Sequence, residues 1–352
     1  MIVGGALLIG ATIAVLGGGL LLVLAVVTVR SRRRSRNQRD QMLLSPLRVP
    51  LITVASGEDD DGSAAEQLTW ATGVTRTVLD SNIVELLTKI RGGPGDQLIR
   101  VLEVHGAVDA AVSDLTHRSS VRRARAAQLL GLARADHTVP LLVEALSDES
   151  VEVRNSAAYA LGLIGDPSAA GAVLAAIGAP DRGLPAATAA EALQSMGVGI
   201  SEVLREGMRD DNARTRMVAA HLSGERSFTR GLPELRHLLD HDTDLTVRET
   251  AATAIGRLGR DEDAAVLSRH TVPTEPLSLR RACVHALGEL GDDTAVPTLA
   301  ALLDDPDPRL AELAASALLV LGPGGGAALA GHEDDPAVRT ARLMASLQKA
   351  NA

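Results

Sequence analysis

A string of small and apolar positions recurs along the C-terminal two-thirds of the chain. A basic residue is followed, after two spacers, by two small residues, and the string closes on a leucine-like residue and glycine, as in Arg248-Glu-Thr-Ala-Ala-Thr-Ala-Ile-Gly256. The string returns every 30–32 residues, with degenerate copies at Ala189–Leu193 and Ala314–Leu318. A fixed period of this length is typical of repeat proteins. The sequence therefore predicts seven units, five of which carry the closing glycine: Gly131, Gly162, Gly224, Gly256 and Gly288.

Each unit is predicted to form two helices. The small residues let the first helix pack closely, and its glycine is expected near the C-terminus, where a left-handed cap residue is favoured. The second helix is an apolar segment with proline near its start, as in Val296-Pro-Thr-Leu-Ala-Ala-Leu-Leu303, because a proline there removes only an N–H that lacks an internal partner. Such helix pairs bury their apolar faces only by stacking, which predicts a repeat array at residues 117–352.

Two regions lie between this array and the N-terminal segment. Residues 63–116 fit the repeat poorly but are compatible with helices, so we expect a helical N-terminal cap or diverged repeats there. Residues 30–62 join a basic segment to a stretch with Pro46, Pro50, Gly57 and an acidic run, and we expect an extended tether. The acidic run lacks the alternating ligands and turn glycine of a calcium loop.

The N-terminal segment is strongly apolar. Ile2 to Val29 contains no charged residue and is long enough, as a helix, to cross a hydrocarbon core of roughly 30 Å. Six arginines follow between Arg30 and Arg39, and none precedes the segment. This asymmetry predicts a transmembrane helix at residues 2–29 of a single-pass protein in the cell membrane, with the N-terminus outside and the repeat domain cytoplasmic.

Two features of this segment have alternative interpretations. Small residues recur every four positions, either as a transmembrane packing face or by chance in a chain rich in Ala and Gly; they are Ala6, Gly10, Ala14 and Gly18. The arginines from Arg30 to Arg39 either fix topology alone or also bind anionic lipid headgroups.

Composition narrows the possible chemistry. The chain has one Phe, one Trp and one Tyr, so its core must consist mainly of Leu, Ala and Val. The single cysteine, Cys283, excludes an intramolecular disulfide framework and a cysteine-clustered zinc site. From Gln41 onward there are 29 basic and 43 acidic side chains, a formal net charge of −14. A body of that sign repels phosphate backbones, so we expect no nucleic-acid partner.

The recurring strings resemble HEAT repeats, specifically the short bacterial HEAT-like type also found in phycobilin lyase subunits. The resemblance covers about residues 117–349. It implies an all-α fold, a HEAT-like α-solenoid of about seven helix-pair repeats, here expected to follow one N-terminal transmembrane helix.

The resemblance also implies a structural ladder of Asp–Arg pairs that link successive loops. An acidic residue is expected six positions before the Arg of the string. Here it gives three pairs: Asp148 with Arg154, Asp210 with Arg216, and Asp242 with Arg248. Thr274 occupies this position before Arg280, so we expect the ladder to break there.

No catalytic constellation is apparent in the sequence. The HEAT-like deoxyhypusine hydroxylases build a di-iron centre from several His-Glu dipeptides, but only His332 is followed by Glu in this chain. A His-Glu-x-x-His zinc motif and a phosphate-binding loop are also missing from the sequence. We therefore expect no catalytic residue, no metal, no cofactor and no enzymatic activity.

HEAT solenoids hold partners on an extended face lined by the second helices. The polar candidates there are either partner-binding residues or solvated positions: Glu144, Arg205, Arg236 and Arg269. The sequence thus predicts a non-enzymatic, membrane-anchored scaffold that binds a partner protein at the membrane, by analogy an envelope-biosynthesis enzyme such as a glycosyltransferase. Its span and Arg30–Arg39 would contact membrane lipids. The alternative is a HEAT-like enzyme, or a protein that handles a tetrapyrrole or small ligand, with Tyr159 and Phe228 as stacking candidates.

Overall fold

The computed structural model describes residues 38–351, together with Thr28 and Arg30. Every regular element within this part of the chain is helical. The chain divides into two compact units between Ala110 and Ala111. Residues 38–44 are also helical. The helices with defined bounds up to this boundary are α1 (Arg48–Ser56), α2 (Ser63–Thr69), α3 (Gly73–Leu87), α4 (Gly93–Val104) and α5 (Ala107–Asp114), the last of which crosses it.

The N-terminal unit has a small aliphatic core. Helices α1, α2 and α4 pack together, and α3 packs on α4. The side chains they bury are almost all Leu, Ile and Val, as the shortage of aromatics predicts; the fully buried ones include Val54, Leu68, Leu79, Ile83, Leu98 and Leu102.

The predicted extended tether is wrong over Arg48–Ser56, which is α1. Pro50 lies in the first turn of this helix, where its missing N–H would have no partner in any case. Val54 is buried, and Gly57 ends the helix in a left-handed conformation, with φ of 80°. Asp59 of the acidic run is buried as well, and its carboxylate accepts the N–H groups of Ala64 and Ala65 at 2.9 Å. Apolar burial and end-capping outweigh the local signals for a loop.

The second unit is an array of helix pairs. The first helices are α6 (Ser120–Leu132), α8 (Val151–Ile164), α10 (Ala186–Ser195), α12 (Ala213–Glu225), α14 (Leu245–Leu258), α16 (Leu277–Leu290) and α18 (Pro308–Val320). The second helices are α7 (Val139–Ala145), α9 (Ala170–Ile177), α11 (Ser201–Gly207), α13 (Leu232–His241), α15 (Asp261–Arg269), α17 (Val296–Ala301) and α19 (Gly322–Ala328). A further helix, α20 (Pro336–Asn351), packs on α18 as the next first helix would.

Successive first helices pack directly on one another, and each second helix from α7 to α17 packs on the first helix that follows it. Loop side chains cap several first helices: Asn212 accepts the N–H of Arg214 at 2.9 Å, and Asp244 accepts that of Thr246 at 2.8 Å. Such caps satisfy N–H groups that the helix leaves without partners. The predicted all-α solenoid is therefore confirmed.

The closing glycines of the string are not helix caps, contrary to our expectation. Gly256, for example, lies inside α14, and a Cβ added to it would be 2.7 Å from Ala286 Cα and 2.8 Å from Ala286 Cβ in the next unit. Left-handed caps are instead found at Gly165 and Gly291. The glycines of the string are present because the neighbouring first helix approaches too closely for any side chain.

Among the seven first helices, one junction lacks this contact. Gln194 of α10 occupies the glycine position, and Leu222 of α12 occupies the alanine position that would meet it. These two helices pack less extensively than other neighbouring first helices do. Larger side chains at the contact hold helix axes further apart.

The predicted transmembrane helix lies almost wholly outside the described residues. Its packing face, Ala6, Gly10, Ala14 and Gly18, lies outside them entirely. Within the residues that were described, none of the helices has the length and apolar character needed to cross a membrane. That finding contradicts the predicted single-pass localisation in the cell membrane.

Candidate interaction surface

The second helices α11, α13 and α15 carry a network of charged side chains that join neighbouring units. Arg236 of α13 donates from Nε to Asp263 at 2.6 Å and from Nη2 to Glu262 at 2.8 Å, both on α15. Arg269 of α15 lies 3.4 Å from the carboxylate of Asp240 on α13. These contacts tie the second helices to one another.

The four candidate residues differ in what they contact. Glu144 of α7 is exposed. Arg205 of α11 forms an ion pair with Glu202 one turn earlier and lies 3.9 Å from Glu234 of α13. Because Arg205, Arg236 and Arg269 already have carboxylate partners in the chain, a partner protein would have to compete with those pairs.

The Arg–Asp ladder connects different residues from those predicted. Asp148 accepts two hydrogen bonds from Arg123 of the preceding unit, at 2.7 Å from Nε and 2.8 Å from Nη2. Arg154, its predicted partner, donates instead to the backbone carbonyl of Asp148 at 2.9 Å. Arg123 likewise donates to the His117 carbonyl at 2.9 Å, so it binds both the backbone of the loop before its own helix and the carboxylate of the loop after its unit.

The same geometry recurs further along the array. Arg216 donates to the carboxylate of Asp242 at 2.7 and 2.8 Å, and to the Asp210 carbonyl at 2.9 Å. Arg280 pairs with Asp305. These side chains are 25 or 26 residues apart. Sequence reasoning missed these partners, although the regular spacing between the acidic and basic positions was there to find them.

The predicted break at Thr274 does not occur. Glu275, the next residue, accepts a hydrogen bond from Arg248 Nη2 at 2.8 Å. The longer side chain of glutamate reaches the guanidinium from a position displaced by one residue.

Burial acts to raise the pKa of the Asp242 carboxyl, but the hydrogen bonds from Arg216 and from the Asp244 N–H lower that pKa below its usual value overall. The pKa of Glu275 is lowered chiefly by the hydrogen bond from Arg248. A carboxyl with a lower pKa in the folded than in the unfolded chain stabilises the fold when ionised. This contribution is complete above the ordinary values of 3.8 for Asp242 and 4.5 for Glu275, and it is lost as pH falls through the folded pKa.

We therefore expect the urea midpoint of the array to fall as the pH is lowered from about 6 to about 3. Circular dichroism at several pH values measures this change. Asp242→Asn removes one of the responsible carboxyls, so its midpoint should be lower at pH 6 and should depend less on pH below 5. Equal pH slopes for the variant and the parent protein would contradict the assignment.

The buried histidine of this network bridges two carboxylates. His270 contacts Glu275 through Nδ1 at 2.9 Å and Asp240 through Nε2 at 2.7 Å. Because the two carboxylates contact different ring nitrogens, they and the imidazole cannot all bind the same metal ion. In the described part of the chain, no group of three or more His, Cys, Asp or Glu side chains is placed to hold a metal ion.

Cys283 is buried in α16, and burial raises the pKa of its thiol to about 12. The thiolate, which is the nucleophilic form, is therefore scarce at neutral pH.

The two aromatic candidates for stacking on a ligand do not share a groove. Tyr159 is exposed on α8 beside a groove of only about 30 Å³. Phe228 precedes α13 and does not line that groove.

The N-terminal unit contains a larger groove, of about 420 Å³. Leu51, Ile52 and Leu86 line it, with Arg48 and Glu85 among its polar groups. Its volume falls in the range of small-molecule sites, although the lining contains none of the aromatic side chains that stack on conjugated rings.

Comparison with known proteins identifies the repeats. A family model described as HEAT repeats matches residues 108–194 and 201–276, and the model of the PBS lyase HEAT-like repeat matches residues 279–305. The chain is a HEAT-repeat protein. No curated protein matches it.

Solved structures that are similar to this HEAT-repeat protein have low sequence identity to it. A Kap121p mutant is 10% identical, with a TM-score of 0.57 over 84% of this chain and 37% of that one. The CpcE–CpcF complex of phycocyanin lyase from Nostoc sp. PCC7120 is 20% identical over 66% of this chain and 94% of that one, with a TM-score of 0.33. Human deoxyhypusine hydroxylase in complex with glycerol is 20% identical over 86% and 98%, with a TM-score of 0.30.

Proposed function

We propose that this HEAT-repeat protein is a non-enzymatic scaffold whose second helices bind a partner protein. The stacked helix pairs carry this proposal, because they place successive second helices side by side as an extended surface. A HEAT solenoid is suited to protein binding, and the fold gives the class of function without naming the partner.

The side chains that could do chemistry support a non-catalytic role. His270 has a carboxylate on each ring nitrogen, and Cys283 is buried with a raised pKa. Arg216 and Arg280 hold loops of neighbouring units together. These groups stabilise the array, which leaves exposed positions such as Glu144 for recognition.

Site-specific photo-crosslinking tests the proposed surface. The full chain is produced in its source cells with p-benzoylphenylalanine replacing Glu144 on α7, or replacing Glu191 on α10 as the matched control. Both positions are exposed, but the first lies on a second helix and the other on a first helix. We expect one stoichiometric protein adduct from position 144 and none from position 191. Adducts from both positions, or from position 191 alone, would contradict binding along the second helices.

The small-ligand alternative rests on the 420 Å³ groove of the N-terminal unit. If that groove held a tetrapyrrole, the purified full chain would absorb visible light. It would also lose this absorbance when Leu86→Arg places a charge in the groove. If the chain is a scaffold, the parent protein and the Leu86→Arg variant should both be colourless.

A further inference from the structure

One arginine of the ladder, Arg154, lacks the carboxylate that the equivalent arginines bind. Arg123 pairs with an aspartate 25 residues later, and Arg280 does the same. The corresponding position for Arg154 is Ala179, which has no carboxylate. Ala179 also lies in the loop after a second helix, as Asp148 does. The array therefore keeps the guanidinium at this junction without the acid that it holds elsewhere.

The unused side of the Arg154 guanidinium is buried. Arg154 is only 7% exposed, and its Nη1 donates to the carbonyls of Asp148 at 2.9 Å and Glu149 at 3.2 Å. Its Nε is buried and has no hydrogen-bond partner among the described residues. In Arg123 and Arg216 the same Nε donates to a carboxylate oxygen at 2.7 Å. A buried donor without a partner is costly, and an incoming acceptor would remove that cost.

A second arginine contacts the same loop as Arg154. Arg182, in the loop after α9, donates to the carbonyl of Ser147 at 3.4 Å. Among the described residues, no carboxylate makes an ion pair with Arg154 or Arg182, whereas Arg123 nearby is already paired with Asp148 and Glu149. The carboxylates of Asp148 and Glu152 also interact electrostatically with Arg154, so an incoming acid is attracted by the free N–H groups of the guanidinium and not by an excess of positive charge.

We infer that Arg154 is a binding site for a carboxylate that the partner protein supplies. The ligand occupies the place of the missing aspartate and accepts hydrogen bonds from Nε and Nη2, as Asp148 does from Arg123. The site favours a carboxylate over a phosphate, because the acids that pair with the equivalent arginines Arg123, Arg216 and Arg280 are carboxylates. The inference rests on the proposed function for the source of the ligand: an acidic side chain or the C-terminal carboxylate of the bound protein.

Nuclear magnetic resonance on the ¹⁵N-labelled full chain tests the site directly. The Nε–H signal of Arg154 is assigned by its loss in Arg154→Lys, and sodium acetate is titrated against sodium chloride at equal ionic strength. We expect acetate to shift this signal in a saturable manner. Ala179→Asp supplies the carboxylate from within the chain, so it should weaken acetate binding at least tenfold and raise the thermal midpoint. Ala179→Asn fills the same place with a neutral acceptor, so it should weaken acetate binding less than Ala179→Asp does and raise the thermal midpoint less.

Several results would overturn the inference. Acetate that leaves the Arg154 signal unmoved would do so, as would equal acetate binding by the wild type and Ala179→Asp. Saturable binding of phosphate but not acetate would overturn the carboxylate assignment. N-acetylglutamate amide and N-acetylalanine then distinguish a side-chain from a C-terminal carboxylate, since each offers one of the two groups.

The acetate experiment is independent of the proposed scaffold function. If acetate binds but crosslinking at position 144 yields no partner, the site stands and the scaffold proposal fails. If a crosslinked partner binds Ala179→Asp as tightly as the wild type, the scaffold stands and the partner does not supply a carboxylate to Arg154.

Discussion

Replacing Gly256 with alanine is expected to destabilise the repeat array by about 3 kcal/mol, since the added methyl has no room. The new Cβ would lie 2.7 Å from Ala286 Cα and 2.9 Å from its carbonyl oxygen, and backbone atoms cannot turn aside as a flexible side chain can. Urea unfolding followed by circular dichroism measures the loss.

Gly171→Ala provides the matched control. Gly171 is an exposed residue within α9, and a Cβ added there meets no atom within 4 Å. The same substitution should therefore stabilise the protein by about 0.5–1 kcal/mol, because glycine loses more conformational freedom on folding than alanine does. Equal effects of the two substitutions would show that helix propensity, and not close packing, explains the glycine of the string.

A compensating pair tests the contact itself. A Cβ on Gly288 would lie 2.9 Å from Ala317 Cβ and 3.2 Å from Ala317 Cα. Gly288→Ala should destabilise the array, and adding Ala317→Gly should recover more than half of the loss because the nearest atom is removed. Strictly additive effects would argue that the two positions do not touch.

Replacing Arg216 with methionine is expected to cost about 3–5 kcal/mol, because it leaves Asp242 buried without its positive partner. The Asp242 side chain is 3% exposed and that of Arg216 is 14% exposed, so water replaces little of the lost interaction. Methionine keeps most of the apolar stem of arginine, which separates the charge from the packing. The measurement is the free energy of unfolding in urea.

Arg122→Met is the corresponding surface control. Arg122 forms an ion pair with Asp114 at 3.0 Å, but its side chain is 55% exposed. Exposed pairs contribute at most about 1 kcal/mol, so this variant should unfold close to the parent midpoint. If Arg216→Met were as mild as Arg122→Met, the ladder would not hold the units together.

The helices of the array could largely be predicted from the sequence because their signals are local and repeated. The string that ends at Gly256 returns at a constant period, and the segment from Val296 has the apolar pattern and the early proline of a second helix. The same local reasoning failed at Arg48–Ser56, where prolines suggested a tether. It failed because the burial of Val54, which stabilises that helix, depends on residues distant in the sequence.

The candidate interaction surface could be predicted only in outline. The sequence placed Arg205, Arg236 and Arg269 on second helices, where they lie. It did not reveal that each already has a carboxylate partner, because two of these partners belong to neighbouring units. Whether a charged side chain is free for a partner depends on contacts between units.

By itself, the sequence determined the all-α repeat class, the period and the aliphatic composition of the core, since helix periodicity and residue type are local properties. Only the tertiary structure decided what the repeated positions do. It showed that the glycine of the string lies against an alanine of the next unit and that Asp148 pairs with Arg123 and not with Arg154. It also showed that the buried Nε of Arg154 lacks a hydrogen-bond partner in the part of the chain that is described. A repeat identifies equivalent positions, but which of them meet is set by how the units stack.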